Sequence, residues 1–396
     1  MIVGTSPVLL IEGLLRARAG QRVVFVEAKS QIGGAWAMTE ALGLTDVEAA
    51  CHLMVNYRGG YEFLSDECGI DMEICEPQPQ LFREQRLTDF NAKRHVLRRT
   101  SGLLVRFGIV GLVRIVESVL AGRWRLRKTR EFDLAHAAQK LADQRLYPML
   151  GSAVSRAIRY PVGGTPAMMK KLQSQLEGEG AQWVHDRALR VKLQPTGPVR
   201  VALASGGELL ANTLVVSESA DIERVESEHN ARSFEARIGR HMAIVMRVSG
   251  AARPFLSYVE LPFDPVVERA TDVTAFCQGS IPQDSRILVC EIPESQLAES
   301  TLPRAEDILE YLQKLELVPA EIRLVEHEPC VLELQRREKE LVEHLKGLES
   351  AAVVVVPSRG DFCLSLHRNR RRWQELVKSP PTPSTFDREL AVGATS

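Results

Sequence analysis

Near the start of the chain, small residues and one acidic residue have a spacing that suits nucleotide binding. Gly4, Ser6 and Pro7 form a compact turn, and Glu27 follows about 20 residues after it. Backbone N–H groups at the start of a helix attract a diphosphate, small residues let it approach, and an acid accepts hydrogen bonds from a ribose diol. The stretch therefore predicts that these four residues bind a dinucleotide. The alternative is an α/β unit that binds nothing.

A β-α-β unit is needed to position these residues. Ile2 and Val3 end an apolar strand, residues 8–19 fit a helix, and residues 22–26 form a β-branched strand that leads to Glu27. The spacing thus predicts a Rossmann-like α/β crossover whose first turn carries the phosphate-binding N–H groups.

The turn departs from the GxGxxG pattern at two places. Ser6 stands at the second glycine position and Leu9 at the third. The third glycine normally allows close contact between helix and strand rather than phosphate contact, so Leu9 changes packing more than chemistry. We expect Gly13, one turn later, to restore the close approach.

The residues after Glu27 indicate a family. They run to Ile32, Gly33, Gly34, Ala35 and Trp36. The opening resembles the FAD-binding flavoproteins of the amine oxidase, phytoene desaturase and protoporphyrinogen oxidase type, and Rab GDP-dissociation inhibitors and Rab escort proteins share it. The resemblance implies that Gly33 and Gly34 pass the FAD phosphates and that Trp36 approaches the flavin. Family members often have Arg where this chain has Ala35.

A second segment, residues 160–217, carries the same resemblance. It has a PxGG-like turn at Pro161, Gly163 and Gly164, then a helix, a short strand and a β-meander. The resemblance implies that backbone groups near Ala188 hold the adenine. Helical spacing predicts a buried face that consists of Met168, Met169, Leu172 and Leu176.

The third segment lies near the carboxyl end. A buried strand of residues 351–356 precedes a turn that contains Gly360 and Asp361, and the resemblance implies that this turn touches the FAD diphosphate and ribityl chain. Relatives follow with a helix of small residues, whereas residues 364–372 of this chain are bulky and basic. This departure favours a modified or empty site.

Three other features remain open. His52 is expected to be a structural histidine, and the alternative is a place beside the flavin. Arg269 and Asp272 are expected to form surface ion pairs, and the alternative is a role in the substrate site. Residues 93–130 are strongly basic around an apolar stretch. They fit a helix buried in a substrate domain, a membrane-surface helix, or a docking face for an anionic substrate or acidic partner.

Composition limits the class of protein. The chain has 396 residues, a net charge of −1 and 45% hydrophobic residues, which is typical of a globular protein and does not indicate nucleic-acid binding. Its seven cysteines form no CxxC pair, which favours a reducing compartment over a disulfide framework or zinc site. The absence of a signal sequence or membrane span predicts a cytoplasmic protein, with peripheral membrane contact through residues 93–130 as an alternative.

Together these features predict an α/β protein. Its Rossmann-like FAD/NAD(P)-binding domain is built from discontinuous segments, and a mixed α+β substrate domain is inserted. The predicted limits are 1–70, 155–225 and 345–378 for the FAD domain, 71–154 and 226–344 for the substrate domain, and 379–396 for a flexible tail.

The resemblance implies an FAD-dependent oxidoreductase that removes hydride from a small or amphipathic organic substrate. The alternative is a non-catalytic member of the same fold that binds a partner or serves as an accessory subunit, as the GDP-dissociation inhibitors do.

Overall fold

The computed structural model describes most of the chain, and the longest stretch that it leaves out is residues 90–157. It describes residues 1–37, 39–49, 52, 54, 56, 59–77, 79–83, 86–89, 158–194, 197–218, 220–228, 230–250, 253–261, 266–275, 285–292, 303–337, 339–348, 352–358 and 362–378. The basic segment 93–130, the turn with Gly360 and Asp361, and the predicted tail 379–396 lie outside the described residues.

A parallel sheet forms the centre of the α/β part. Its strands are Ile2–Val3 (β1), Val24–Glu27 (β2), Gln182–His185 (β9), Leu214–Ser217 (β13) and Val353–Val356 (β21). They lie in the order β21-β13-β1-β2-β9, and all neighbouring pairs are parallel. Strands from distant parts of the chain thus meet in one sheet, which confirms the predicted assembly from discontinuous segments.

Helices cover this sheet and the rest of the described chain. They are Pro7–Arg18 (α1), Gly60–Asp66 (α2), Gly164–Gly178 (α3), Ala305–Lys314 (α4), Lys339–Gly347 (α5) and Phe362–Lys378 (α6), with short 3₁₀ turns at Gly34–Trp36 and Val273–Ala275. Helix α1 packs between α3 and α6. The predicted inner face of α3 is buried: Met168, Met169, Leu172 and Leu176.

Gly13 brings α1 close to the sheet, as the sequence predicts. A Cβ atom at this position would overlap the Phe25 ring and lie 3.1 Å from Ile2 Cδ1. Leu9 is fully buried, and its Cδ1 atom lies 3.4 Å from the place where a side chain on Gly4 would begin. Leu9 therefore fills the core beside the turn, and Gly13 provides the close contact between helix and strand.

A second, smaller sheet is formed by five short strands. Its strands are Ala188–Lys192 (β10), Val199–Leu203 (β11), Glu208–Ala211 (β12), Arg224–Glu226 (β14) and Ala231–Ser233 (β15). They lie in the order β12-β11-β10-β14-β15. Gly206, with φ of +91°, lies in the hairpin turn between β11 and β12.

A seven-stranded sheet forms the second large layer. Its strands are Gln80–Arg83 (β6), Arg86–Asp89 (β7), Ala236–Ser249 (β16), Tyr258–Glu260 (β17), Arg269–Asp272 (β18), Ser285–Ile292 (β19) and Arg323–Arg337 (β20). Their order is β20-β16-β19-β18-β17-β6-β7. Helix α4 packs on one face through Ile308, Leu309 and Leu312.

A hairpin packs on the opposite face of this sheet. It consists of Thr39–Ala41 (β3) and Leu44–Val47 (β4), and it joins the sheet in a small apolar cluster. A separate two-stranded ladder pairs Met72–Ile74 (β5) with Arg159–Pro161 (β8). Strands β6 and β7 join a sheet made otherwise of residues 236–337, in line with an inserted mixed domain, while the exact domain limits stay a prediction.

Within the described residues, no helix is long and apolar enough to cross a bilayer.

The tie between α1 and α6 is a buried charge cluster around Glu12, which is fully buried on α1. Its carboxylate accepts hydrogen bonds from Arg16 Nε at 2.7 Å, from both terminal nitrogens of Arg372, and from Trp373 Nε1. Burial alone would raise the pKa of Glu12, but the hydrogen bonds and charges of Arg372 and Arg16 outweigh it and hold the pKa below its usual value. The basic character of α6 therefore serves, in part, to dock this helix.

We expect Glu12→Gln to lower the free energy of unfolding by about 3 kcal/mol near neutral pH, because it leaves two arginines without their buried counter-charge. The pKa of Glu12 is lower in the folded state than its ordinary value of 4.5. Its contribution is therefore present above that value and lost as pH falls through the folded pKa, so wild type and variant should converge in acid. Urea unfolding over a pH series measures this.

Glu177→Gln, an exposed change on α3, is the control and should change stability little at any pH. A constant difference between wild type and Glu12→Gln down to strongly acidic pH would contradict the proposed charge cluster.

Candidate nucleotide site

The βα turn, Gly4–Pro7, joins β1 to α1 at the carboxyl end of the parallel sheet. Gly4 has φ of +94°, and its N–H group donates to the carbonyl oxygen of Val26 at 2.8 Å, which fixes the turn to β2. The carbonyl group of Ser6 accepts from the N–H groups of Leu9 and Leu10. Pro7 opens the helix, where its missing N–H group costs nothing.

Several donors at the start of α1 have no partner in the part of the chain that the structure describes. Within the described residues, no hydrogen bond uses the backbone N–H groups of Thr5, Ser6 or Val8. The Ser6 hydroxyl oxygen is buried, and it too has no hydrogen-bond partner among these residues. Buried polar groups are normally paired, and the positive end of a helix attracts anions, so these donors fit a diphosphate.

Glu27 ends β2 beside this turn with its carboxylate already oriented. Thr5 Oγ1 donates to Oε2 at 2.6 Å, and the N–H group of Lys29 donates to Oε1 at 3.0 Å. A carboxylate has about four lone-pair sites. Each oxygen of Glu27 therefore keeps one acceptor site, and two such sites fit the two hydroxyl groups of a ribose diol.

The glycine turn, Gly33–Gly34, closes against the βα turn. The N–H group of Gly33 donates to Thr5 Oγ1 at 3.0 Å. Gly33 and Gly34 have φ of +119° and +61°, and a Cβ atom on Gly34 would lie 3.6 Å from Ser6 Cα. The structure thus brings the two glycine-bearing turns into contact, although their role in binding stays a prediction.

Trp36 follows the glycine turn and lies in an aromatic cluster. Its ring stacks on the His52 ring with centroids 4.3 Å apart and an interplanar angle of 6°. The Phe362 ring, in the first turn of α6, lies 4.9 Å away at a tilt of 55°. The two predicted residues Trp36 and His52 therefore meet at the start of α6, where the sequence resemblance places the flavin.

Ala188 follows β9, the edge strand of the parallel sheet, and begins a strand of the smaller sheet. His185, the last residue of β9, pairs with Glu27, and Ala188 opens β10 three residues later. Ala188 is buried and pairs with Leu203. Ala188, predicted to hold the adenine, thus lies three residues after the strand partner of Glu27, the acid predicted to hold the ribose. The adenine contact itself stays a prediction.

The sequence reasoning missed Thr5 and Glu48. The Glu48 carboxylate is buried and accepts from the Tyr160 hydroxyl and the Thr165 N–H group, both at 2.6 Å. Burial raises the pKa of Glu48, although both hydrogen bonds oppose the shift. Glu48 therefore holds the first turn of α3. No local pattern marks Glu48, because its partners lie 112 and 117 positions away in the chain, and none marks Thr5, because it occupies a variable position of the turn pattern.

The expectation of surface ion pairs at Arg269 and Asp272 is wrong. The Arg269 guanidinium group donates to both oxygens of the buried Glu291 carboxylate, at 2.9 and 2.8 Å. Asp272 is fully buried and bonds to Arg286 Nε at 2.5 Å. Arg269 and Asp272 are three positions apart on β18, so their side chains lie on opposite faces and find separate interior partners.

Only comparison at the level of structure finds relatives. No protein-family model matches the chain, and no curated protein sequence matches it significantly. The crystal structure of reduced UDP-galactopyranose mutase has a TM-score of 0.62 at 14% identity and covers 95% of this chain and 93% of that chain. Putrescine oxidase bound to putrescine has a TM-score of 0.56 at 13% identity, with coverage of 96% and 98%.

A putative protoporphyrinogen oxidase from Exiguobacterium sp. 255-15 has a TM-score of 0.54 at 12% identity and covers 94% of this chain and 98% of that chain. The three proteins are members of the FAD-dependent amine oxidase-like superfamily. Their likeness confirms the predicted fold, a Rossmann-like flavoenzyme architecture. At such low identity it shows the fold alone.

The glycine turn yields a stability prediction with an internal control. A Cβ atom on Gly33 would lie 2.9 Å from the Ala37 nitrogen and 3.0 Å from the Trp36 carbonyl carbon, whereas one on Gly43, with φ of +72°, would meet nothing within 4 Å. We expect Gly43→Ala to cost about 1 kcal/mol of unfolding free energy from its backbone conformation alone, and Gly33→Ala about 3 kcal/mol or more.

Urea unfolding of both variants measures the difference. Equal losses would show that the backbone around Gly33 can move aside, and would contradict a rigid glycine turn.

Proposed function

We propose that this chain is an FAD-binding flavoprotein that oxidises a small or amphipathic organic substrate. The observation that carries the proposal is the buried Ser6 hydroxyl at the start of α1, which has no partner among the described residues. Ser6 directly follows Thr5, whose hydroxyl bonds to a Glu27 carboxylate with two unused acceptor sites. A diphosphate joined to a ribose diol would satisfy both groups at once. The fold of the solved relatives supports the same assignment.

The described residues fit the adenosine diphosphate half of FAD. The N–H groups of Thr5 and Ser6, the Ser6 hydroxyl and the positive end of α1 would hold the diphosphate. Glu27 would accept the ribose hydroxyl groups, and the backbone near Ala188 would contact the adenine. A bound FAD would supply the acceptor for a hydride removed from the substrate.

The remaining contacts to the cofactor belong to the glycine turn, Trp36, Gly360 and Asp361, and they rest on the family resemblance. For the substrate we propose a position next to the hairpin-covered face of the seven-stranded sheet. Arg269 and Glu291 make part of this face polar, and their charges neutralise each other in an ion pair. Such a face suits an uncharged or amphipathic substrate better than a strongly anionic one.

The absorption spectrum of the purified protein tests the proposal. We expect flavin bands near ~370 and ~450 nm, either as isolated or after addition of FAD. Glu27→Ala should raise the Kd for FAD by about 10- to 100-fold, because it removes two hydrogen bonds to a charged acceptor.

Glu73→Ala, an exposed acid on β5, is the matched control and should leave the FAD affinity unchanged. Unchanged affinity in Glu27→Ala would remove the ribose assignment, and a colourless protein that takes up no FAD would overturn the proposed function.

One observation favours a second candidate, a non-catalytic member of the fold that binds a partner or serves as an accessory subunit. The Trp36 ring has His52 stacked on one face and Phe362 tilted against it, so protein side chains already contact it where the flavin is expected. Ser6, Ala35 and the bulky residues of α6 point the same way. Retention of ADP without retention of FAD would favour this candidate.

For residues 93–130 we propose contact with an anionic membrane surface, with an acidic protein as the alternative partner. Eleven cationic residues against one acid in this segment would attract anionic lipid headgroups. Sedimentation with anionic vesicles should be strong at low salt and weak at high salt. Absence of salt-sensitive binding would dispose of the membrane contact.

A further inference from the structure

We propose that Thr5 is the positioning residue that makes the site select an unphosphorylated ribose diol. The inference rests on the proposed function, since it concerns how Glu27 recognises the nucleotide. Thr5 occupies a variable position of the turn pattern, between Gly4 and Ser6, and no sequence feature marks it. Its importance comes from two groups, the Gly33 N–H and the Glu27 carboxylate, that are hydrogen-bonded to its hydroxyl.

The geometry fixes the direction of both bonds at Thr5. Its side chain is 1% exposed. The N–H group of Gly33 can only donate, so Thr5 Oγ1 accepts from it at 3.0 Å. The hydroxyl proton is then directed to Glu27 Oε2 at 2.6 Å, a short distance typical of an O–H group bonded to a carboxylate. Thr5 therefore has a single hydrogen-bonded state available in this site.

This arrangement sets what Glu27 can accept. Thr5 takes one acceptor site on Oε2, and the N–H group of Lys29 takes one on Oε1. One site remains on each oxygen, which matches the two donors of a vicinal diol. A 2′-phosphate brings only negative charge and acceptor oxygens to the same place, so the oriented carboxylate should reject it.

The same hydroxyl joins the acid to the glycine turn. Gly33 is buried, and its N–H group has Thr5 Oγ1 as its acceptor. Removal of the hydroxyl would leave this donor without its acceptor and would let the Glu27 carboxylate rotate. Both effects weaken the diol contact through Glu27 rather than through a contact between Thr5 and the ligand. Thr5 is therefore a positioning residue and not itself a ribose ligand.

Calorimetric titration of wild type, Thr5→Ser and Thr5→Val tests the proposal with FAD, ADP-ribose and 2′-phospho-ADP-ribose as probes. We expect Thr5→Ser to bind FAD and ADP-ribose within about 3-fold of wild type, because it keeps the hydroxyl. Thr5→Val, which is close in shape, should bind both about 10-fold or more weakly.

The preference for ADP-ribose over its 2′-phosphorylated form should also shrink by about 10-fold in Thr5→Val and stay unchanged in Thr5→Ser. A purely structural role would weaken both ligands equally and leave this ratio alone. Thr5→Ala takes the place of Thr5→Val if that variant does not fold. In a Glu27→Gln background the Thr5→Val change should add little, since Thr5 acts through the acid.

The outcomes separate this inference from the function on which it rests. Wild-type binding of FAD or ADP-ribose with an unchanged ratio in Thr5→Val overturns the role of Thr5 and leaves the proposed function standing. Failure of Thr5→Ser to restore binding likewise overturns it, because the hydroxyl would then not be the active group. Failure of the wild type to bind any of the three nucleotides overturns both proposals.

Discussion

The candidate site depends on one buried hydroxyl. Thr5 Oγ1 accepts from Gly33 and donates to Glu27, and so it joins three segments that are separate in the sequence: the βα turn, the end of β2 and the glycine turn. With these segments fixed, the unpartnered donors at the start of α1 and the spare acceptor sites of Glu27 lie side by side. Each alone is an ordinary feature of an α/β protein. Held together, they offer donors for a diphosphate and acceptors for the hydroxyl groups of an adjoining ribose.

A second buried cluster sets the position of the carboxyl-terminal helix. Glu12 on α1 bonds to Arg372 and Trp373 on α6, so the two helices that frame the site share one charge network. This network holds α6 in place although its residues are bulky and basic. The same helix also brings Phe362 against Trp36, which narrows the space next to the glycine turn. Within α6, Arg372 therefore bonds to α1, whereas Phe362 packs against the residue that follows the glycine turn.

The features that could be predicted from the sequence are those with local or periodic causes. The crossover from β1 to β2, the close approach at Gly13 and the placement of Glu27 at a strand end follow from spacing within about 30 residues. Glu48 and the Glu12–Arg372 pair could not be predicted, since their partners are 112 and 360 positions away. Thr5 could not be predicted for another reason: it occupies a variable position of the turn pattern, which does not indicate its hydrogen bond to Glu27. The expectation for Arg269 and Asp272 is wrong because composition marks a charge but not whether an opposite charge meets it inside a sheet.

The most direct test of the account is a crystal structure of the protein grown with FAD. The account predicts the diphosphate against the N–H groups of Thr5 and Ser6, within hydrogen-bond distance of the Ser6 hydroxyl, and the ribose diol on Glu27 with the Thr5 bond intact. A structure in which the glycine turn and Ser6 fill that space, or in which the nucleotide lies elsewhere with Glu27 uncontacted, would contradict it.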